Sequence, residues 1–167
     1  SYTDANHLLP FVTEEERLRA LEIMQRTVQA MRDDGHPYRG VLYGQFMLTR
    51  DGPKVIEFNA RFGDPEAMNV LTLLQNGFLE VCQGVADGKL SQDVPFLRKA
   101  TVCKYVVPAG YGTESKAGRP VMVNEERLKA TGARLYYAAV EEKDGVVLTT
   151  SSRTLGVVGM ADSIDEA

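Results

Sequence analysis

Three polar side chains recur at every second position in the segment VIEFNARFGDPE, residues 55–66. Glu57, Asn59 and Arg61 alternate with apolar or small residues, a pattern typical of a β-strand. Successive strand residues point to opposite faces, so these three side chains share one face. Carboxylate and amide oxygens suit Mg²⁺ or Mn²⁺, and a guanidinium suits a phosphate. The spacing therefore indicates a site that handles a phosphate through a divalent ion.

A strand upstream adds a fourth polar side chain to this face. The pattern of residues 38–49, followed by the turn signal RDGP, predicts a β-hairpin. The apolar residues of the two strands face the same core only if the numbers of paired residues add up to an even sum, which we call even parity of the register. We therefore predict a three-residue loop with Gly52 in a left-handed bulge, which places Gln45 opposite Glu57 or Asn59.

The other face of the second strand carries Ile56, Phe58 and Ala60, which we expect to hold the hairpin to the core. The polar face has a second interpretation that the residues leave open: a solvated sheet face whose charges pair with one another. No nucleophile and base compete with the metal interpretation, because His7 and His36 lie in predicted loops without a serine or cysteine partner.

Three helices are predicted around this hairpin. Thr13 and Glu16 form a capping-box pattern, and the helix that follows should end near Gly35. A second helix should begin at the GDPE segment, and a third should span roughly residues 77–86. At the start of the second helix, the N-cap, the first helical position and the acidic first-turn residue are predicted to be Asp64, Pro65 and Glu66.

From Ala100 onward the composition changes to that of β-structure. Strands are predicted at residues 100–108, 119–123, 133–142, 145–151 and 154–161, and EEKDGVV predicts a second hairpin turn. An irregular link, SQDVPFLRK, separates the two parts at residues 91–99. The chain is thus predicted to be α+β, with one unit over residues 1–95 and a β-rich unit over residues 96–167.

Composition excludes several classes of partner. The 167 residues carry a formal charge of -4, which is unlike a nucleic-acid-binding domain, and no apolar run approaches the roughly 18 residues of a membrane span. Cys82 and Cys103 are expected to be buried free thiols, which favours a cytoplasmic location. The chain lacks an initiator Met, and SIDEA at residues 163–167 has the pattern of a helix start, so we expect a piece of a longer polypeptide.

These segments resemble the phosphoribosylamine–glycine ligase family, also called glycinamide ribonucleotide synthetase. Residues 40–74 resemble the C-terminal part of its ATP-grasp domain, and RFGDPE, residues 61–66, resembles its signature. ATVCKYVVPAGYG onward is similar to the family's small C-terminal domain, and SYTDANHLLPF resembles the segment immediately after its GGMG loop. The resemblance implies the C-terminal portion of an ATP-grasp domain, an antiparallel sheet with helices, followed by a small β-rich barrel-like or sandwich-like domain.

The resemblance also implies an activity. Enzymes of this family use ATP to phosphorylate glycine and join it to 5-phosphoribosylamine, which gives glycinamide ribonucleotide, ADP and phosphate in de novo purine biosynthesis. Glu57 and Asn59 match the family's magnesium ligands, Gln45 matches a further ligand position, and Arg61 matches a catalytic position beside the transferred phosphate of ATP.

The family's other ATP-binding elements belong to an N-terminal half that we expect to be the partner of these residues. The 167 residues alone are accordingly expected to be inactive. Asp64, Pro65 and Glu66 have two interpretations, substrate contact and helix capping, of which capping is favoured. Two other functions remain open: another ATP-grasp carboxylate–amine ligase, and a non-catalytic β-rich interaction module.

Overall fold

The computed structural model describes residues 1–75, 77–90 and 94–167. Within these ranges the helices are α1 (Glu14–Asp33), α2 (Glu66–Leu73), α3 (Phe78–Asp87) and α4 (Glu125–Ala130). The strands are β1 (Tyr2–Thr3), β2 (Tyr43–Thr49), β3 (Gly52–Asn59), β4 (Ala100–Val106), β5 (Arg134–Tyr137), β6 (Val140–Lys143), β7 (Val146–Thr149) and β8 (Leu155–Ala161). The predicted α+β class is confirmed.

A four-stranded antiparallel sheet of order β1-β4-β8-β5 forms the centre of the fold. Its two middle strands bury apolar residues such as Cys103 and Val158, and Leu73 of α2 is buried as well. Strand β1 comes from the start of the chain, so this sheet joins both sides of the division expected at residue 95. The division itself stays a prediction, and the predicted link falls partly outside the described residues.

Helix α2 is tied to the sheet through a buried polar contact. The Asn69 side chain is almost fully buried, and its Nδ2 donates to Thr101 Oγ1 at 3.0 Å. Ser1 Oγ donates to Asn69 Oδ1 at 2.5 Å, so one amide holds α2, β4 and the N-terminal segment together. A buried amide with these partners satisfied fixes the relative position of the elements.

Helix α1 begins as the sequence predicts. Thr13 Oγ1 accepts from the Glu16 backbone N–H at 3.2 Å, while the Thr13 N–H donates to Glu16 Oε2 at 2.8 Å. The helix then packs against the β2–β3 hairpin, where a Cβ on Gly44 would lie 2.5 Å from Met24 Sδ. Gly44 therefore allows the close approach of helix and strand.

The register of the β2–β3 hairpin pairs Gln45 with Glu57, as predicted, but for a different reason. Thr49 pairs with Gly52, so the turn has two residues, and the predicted three-residue loop is wrong. Gly52 does have the predicted left-handed backbone, with φ of 92°. Thr49 Oγ1 holds the tight turn, since it donates to Gly52 O at 2.8 Å and accepts from Asp51 N at 3.2 Å. The extra residue lies at Ile56, where the register shifts.

This bulge leaves Ile56 outside the pairing of β3 with β2. Val55 lies opposite Phe46, whereas the pairing passes over Ile56. Ile56 and Phe58 are 55% and 39% exposed, and Ala60 is exposed too. The expectation that these three residues hold the hairpin to the core is therefore wrong, because all three are exposed.

The β-rich segment agrees with the prediction in part. Asp144 and Gly145 turn the β6–β7 hairpin with φ of 53° and 77°, as the Asp-Gly signal predicts. Residues 133–142 divide into β5 and β6, and residues 119–123 form only an isolated bridge between Pro120 and Leu148. Helix α4 was not predicted, although Asn124 caps it by accepting from Arg127 N at 2.9 Å.

Two smaller expectations have mixed outcomes. Cys103 is buried, but Cys82 is exposed on α3, so the expectation for Cys82 is wrong. The end of the chain forms a turn closed by the Ala167 N–H on Ser163 O at 3.2 Å. Across the described residues, no helix combines the length and apolar character needed to cross a membrane.

Candidate functional site

One small pocket collects the polar residues of the hairpin. It measures about 110 Å³, and its lining includes Gln45, Glu57, Asn59 and Arg61. The pairing of Gln45 with Glu57 places both side chains on the same face, because directly opposed residues in an antiparallel pair point the same way. All four residues singled out from the sequence thus lie together.

Hydrogen bonds orient two of these side chains. Asn59 Nδ2 donates to Glu57 Oε1 at 2.9 Å, which turns the amide nitrogen toward the carboxylate. Arg61 Nη1 donates to the backbone oxygen of Phe62 at 2.7 Å, and among the described residues no ion pair joins Arg61 to Glu57. Glu57 and Arg61 thus bond to different partners, and the interpretation as a solvated face stays open beside the metal interpretation.

Four further pocket residues were not predicted as site residues. Tyr43 pairs with Asn59, and Gly63, Asp64 and Glu66 follow β3. A Cβ on Gly63 would lie 2.5 Å from Glu66 Oε2 and 3.3 Å from Tyr43 Cδ1, so Gly63 permits their close approach. Burial raises the pKa of Tyr43, and the negative charge of Glu66 adds to the effect. Strand alternation, which puts Tyr43 on the face of Gln45, was the signal that could have found it.

Asp64 also lines the pocket, but it does not cap α2. The N-cap position is Pro65, and no side chain caps the helix there, so the predicted positions of Asp64 and Pro65 are wrong. The Asp64 carboxylate instead accepts from Arg153 Nη2 at 2.8 Å and from the Tyr105 hydroxyl. A guanidinium is a stronger donor to a carboxylate than a backbone amide is, which explains the preference.

The donor set of the pocket fits a hard divalent cation. Gln45, Glu57 and Asn59 offer one carboxylate and two amide groups, with no histidine or thiol among them. In the described part of the chain no cluster of three or more His, Cys, Asp or Glu residues forms a metal site by itself. Oxygen ligands from water and from the phosphates of a substrate would complete the coordination, as is usual for Mg²⁺.

Comparison with known proteins first shows the class of protein to which the chain belongs. Residues 3–67 match the family model described as phosphoribosylglycinamide synthetase, ATP-grasp (A) domain, and residues 101–167 match the C domain of the same synthetase. N5-carboxyaminoimidazole ribonucleotide synthetase from Thermotoga maritima shares the fold, with a TM-score of 0.66 at 17% identity over 94% of this chain and 40% of that one. The family-model match over residues 3–67 thus places this chain among the ATP-grasp proteins.

Sequence relatives then give the family. Phosphoribosylamine–glycine ligases from Methanocaldococcus jannaschii and Methanothermobacter thermautotrophicus are 55% and 53% identical over all of this chain, which spans 38% of each relative. The crystal structure of this ligase from Thermotoga maritima has a TM-score of 0.80 at 27% identity, over 95% of this chain and 39% of that one. The chain belongs to the phosphoribosylglycinamide synthetase family.

Proposed function

We propose that these residues form part of an ATP-dependent carboxylate–amine ligase that joins glycine to 5-phosphoribosylamine. The reaction gives glycinamide ribonucleotide, ADP and phosphate through a glycyl phosphate, in purine biosynthesis. One observation carries the proposal: the pocket with Gln45, Glu57, Asn59 and Arg61 lies within the range that matches the ATP-grasp domain of the synthetase. The names of the relatives supply the substrates.

Each of the four pocket residues predicted from the sequence has a proposed role. Glu57 and Asn59 hold a divalent ion, and Gln45 supplies a third oxygen from the facing strand. The hydrogen bond from Asn59 to Glu57 leaves the amide oxygen on the other branch of the Asn59 side chain, where it is available as a ligand. When bound, Mg²⁺ or Mn²⁺ neutralises charge on the phosphoryl oxygens of ATP.

Arg61 is the proposed catalytic residue of this pocket. Its planar guanidinium presents several N–H donors, of which Nη1 contacts Phe62 O. The remaining donors can contact the oxygens of the phosphoryl group as it passes from ATP to the glycine carboxylate. Stabilisation of that distributed charge is the main contribution a protein makes to phosphoryl transfer.

We also propose that the 167 residues have no catalytic activity by themselves. The pocket is built on one hairpin, and the chain spans only 38% of the relatives' length. The proposed partner is the remainder of the same enzyme, and the proposed units are residues 1–95 and 96–167. The free cysteines Cys82 and Cys103 agree with a reducing, cytoplasmic location.

An ADP-release assay tests the proposal. We define the full-length polypeptide as the product of the complete reading frame that contains these residues. With ATP, Mg²⁺, glycine and 5-phosphoribosylamine it should release ADP, and omission of either co-substrate should abolish the release. Activity with another carboxylate and amine instead would indicate a different ATP-grasp ligase. Absence of any ATP-dependent reaction would support an interaction module, and turnover by the 167 residues alone would contradict their proposed inactivity.

A further inference from the structure

Three side chains from distant parts of the chain meet at the edge of the pocket. The Asp64 carboxylate accepts a hydrogen bond from the Tyr105 hydroxyl at one oxygen and from Arg153 Nη2, at 2.8 Å, at the other. Arg153 Nη1 also lies 3.4 Å from the backbone oxygen of Asp64. Arg153 therefore contacts both the side chain and the main chain of this residue.

The guanidinium of Arg153 is itself held in place. Its central carbon lies 4.8 Å from the centroid of the Tyr105 ring, within the range of a cation–π contact. The Arg153 backbone is fixed as well, because its carbonyl accepts from Ala139 N at 2.9 Å and the next residue, Thr154, is buried. An arginine restrained at both ends can determine the position of the carboxylate that it binds.

Asp64 connects this contact to the pocket. It follows Arg61 by only three positions, and both residues line the pocket beside Glu57. Within the described ranges, the segment from Arg61 to Glu66 has no strand partner of its own, because β3 ends at Asn59. The contacts of Asp64 are thus a restraint that comes from outside the hairpin, from β4 and the residue before Thr154.

We propose that Arg153 is a positioning residue for the metal and phosphate pocket, acting through Asp64 with the help of Tyr105. This inference rests on the proposed function, because the pocket it serves is the one assigned to the divalent ion and ATP. Arg153 holds the turn that carries Arg61 and Glu66 at the correct distance from Glu57. The C-terminal segment thereby contributes to a pocket whose proposed ligands all lie in the N-terminal segment.

The test uses the full-length polypeptide and two independent measurements. Mn²⁺ affinity is measured by water-proton relaxation, and kcat and KM are measured by ADP release. Arg153→Met should weaken Mn²⁺ binding by about tenfold, the lower end of the loss seen when a group that orients metal ligands is removed. It should also lower kcat, whereas Arg153→Lys should recover part of both losses because it keeps the charge. Tyr105→Phe, which keeps the ring under the guanidinium, should produce a smaller loss in the same direction.

Arg134→Met is the matched control, because Arg134 is an exposed arginine on β5 of the same sheet and does not line the pocket. It should leave Mn²⁺ affinity and kcat unchanged. The proposal is overturned if Arg153→Met and Tyr105→Phe lower only the thermal midpoint, which would make the cluster a structural link. It is also overturned if Arg153→Met raises the KM of one substrate alone, which would indicate direct substrate contact.

The two proposals fail in different ways. An unmutated polypeptide that binds Mn²⁺ but releases no ADP with glycine and 5-phosphoribosylamine contradicts the proposed function. The Mn²⁺ measurements on Arg153→Met still decide the positioning role in that case, because they need no turnover. The positioning role alone is contradicted by a different set of results. The unmutated enzyme would be active and Glu57→Gln would lose activity, whereas Arg153→Met would keep full Mn²⁺ affinity and kcat.

Discussion

Glu57 is the single carboxylate among the three proposed metal ligands, so its charge should dominate the affinity for a divalent ion. Glu57→Gln keeps the size of the side chain and an oxygen that can accept from Asn59 Nδ2. In the full-length polypeptide we expect Mn²⁺ binding to weaken by more than about tenfold, because a neutral amide binds a hard cation less well than a carboxylate does. Water-proton relaxation with Mn²⁺ measures the effect.

A matched control separates the local charge from the net charge. Glu142→Gln makes the same change on β6, at an exposed residue outside the pocket, and should leave Mn²⁺ binding unaltered. The thermal midpoint of Glu57→Gln should stay close to that of the unmutated protein, since Glu57 is exposed. Equal Mn²⁺ affinities for the two variants, or severe unfolding of Glu57→Gln, would contradict the metal role.

Sequence patterns predict the contacts of a residue well when its partners lie nearby in the sequence. Strand alternation and a facing strand were sufficient to bring Gln45 to Glu57. The same reasoning was wrong for Asp64, because its partners Tyr105 and Arg153 are 41 and 89 positions away. A capping pattern is common at helix starts, and nothing near Asp64 in the sequence reveals a stronger donor brought in by the fold.

At the scale of elements, the capping box of α1 makes a measurable contribution to stability. Thr13→Ala removes the acceptor of the Glu16 N–H and should lower the free energy of unfolding by about 1 kcal/mol. Urea unfolding of the 167-residue chain measures the change. Thr27→Ala is the control in the same helix, where the Thr27 hydroxyl donates to Ile23 O at 2.9 Å. Because such a mid-helix bond adds little to helix stability, Thr27→Ala should cost less than Thr13→Ala; the reverse order would contradict the prediction.

The β2–β3 hairpin shows which part of a strand pairing can be predicted from the sequence. The requirement that apolar residues share a face predicted an even parity of the register, and that parity is present only where residues 43–45 pair with residues 57–59. The position of the bulge depends on the energy of the turn, which the hydrophobic pattern does not reveal. The hydroxyl of Thr49 stabilises a two-residue turn, so the bulge lies at Ile56 within the strand.

At the scale of the whole molecule, two polar contacts join the residues that follow the β2–β3 hairpin to the four-stranded sheet. Asn69 of α2 bonds to Thr101 on β4, and Asp64 bonds to Tyr105 on the same strand. Neither contact was predictable, because it depends on the order of strands in the sheet, including the short β1 that the sequence pattern did not reveal. Strand β4 therefore supports both α2 and the edge of the pocket.

This junction should make stability depend on alkaline pH. Burial raises the pKa of Tyr105 well above its usual range, and the hydrogen bond to Asp64 and its negative charge add to the effect, while Arg153 opposes it. A tyrosine whose pKa is higher in the folded state keeps its proton more tightly there than in the unfolded chain. Its contribution to stability is complete below the unfolded pKa of about 10 and is lost as pH rises through the folded-state value.

Tyr105→Phe should therefore reduce the alkaline loss of stability. The free energy of unfolding of the 167-residue chain, measured in urea from about pH 8 to about pH 11, should fall more steeply for the unmutated chain than for the variant. The variant should be the less stable of the two at the lower pH, because Asp64 loses the hydroxyl donor, and the difference should narrow as pH rises. Tyr43, whose pKa burial also raises, titrates in both proteins and cancels in the comparison. A difference that stays constant across this range would show that Tyr105 does not hold its proton through the contact with Asp64.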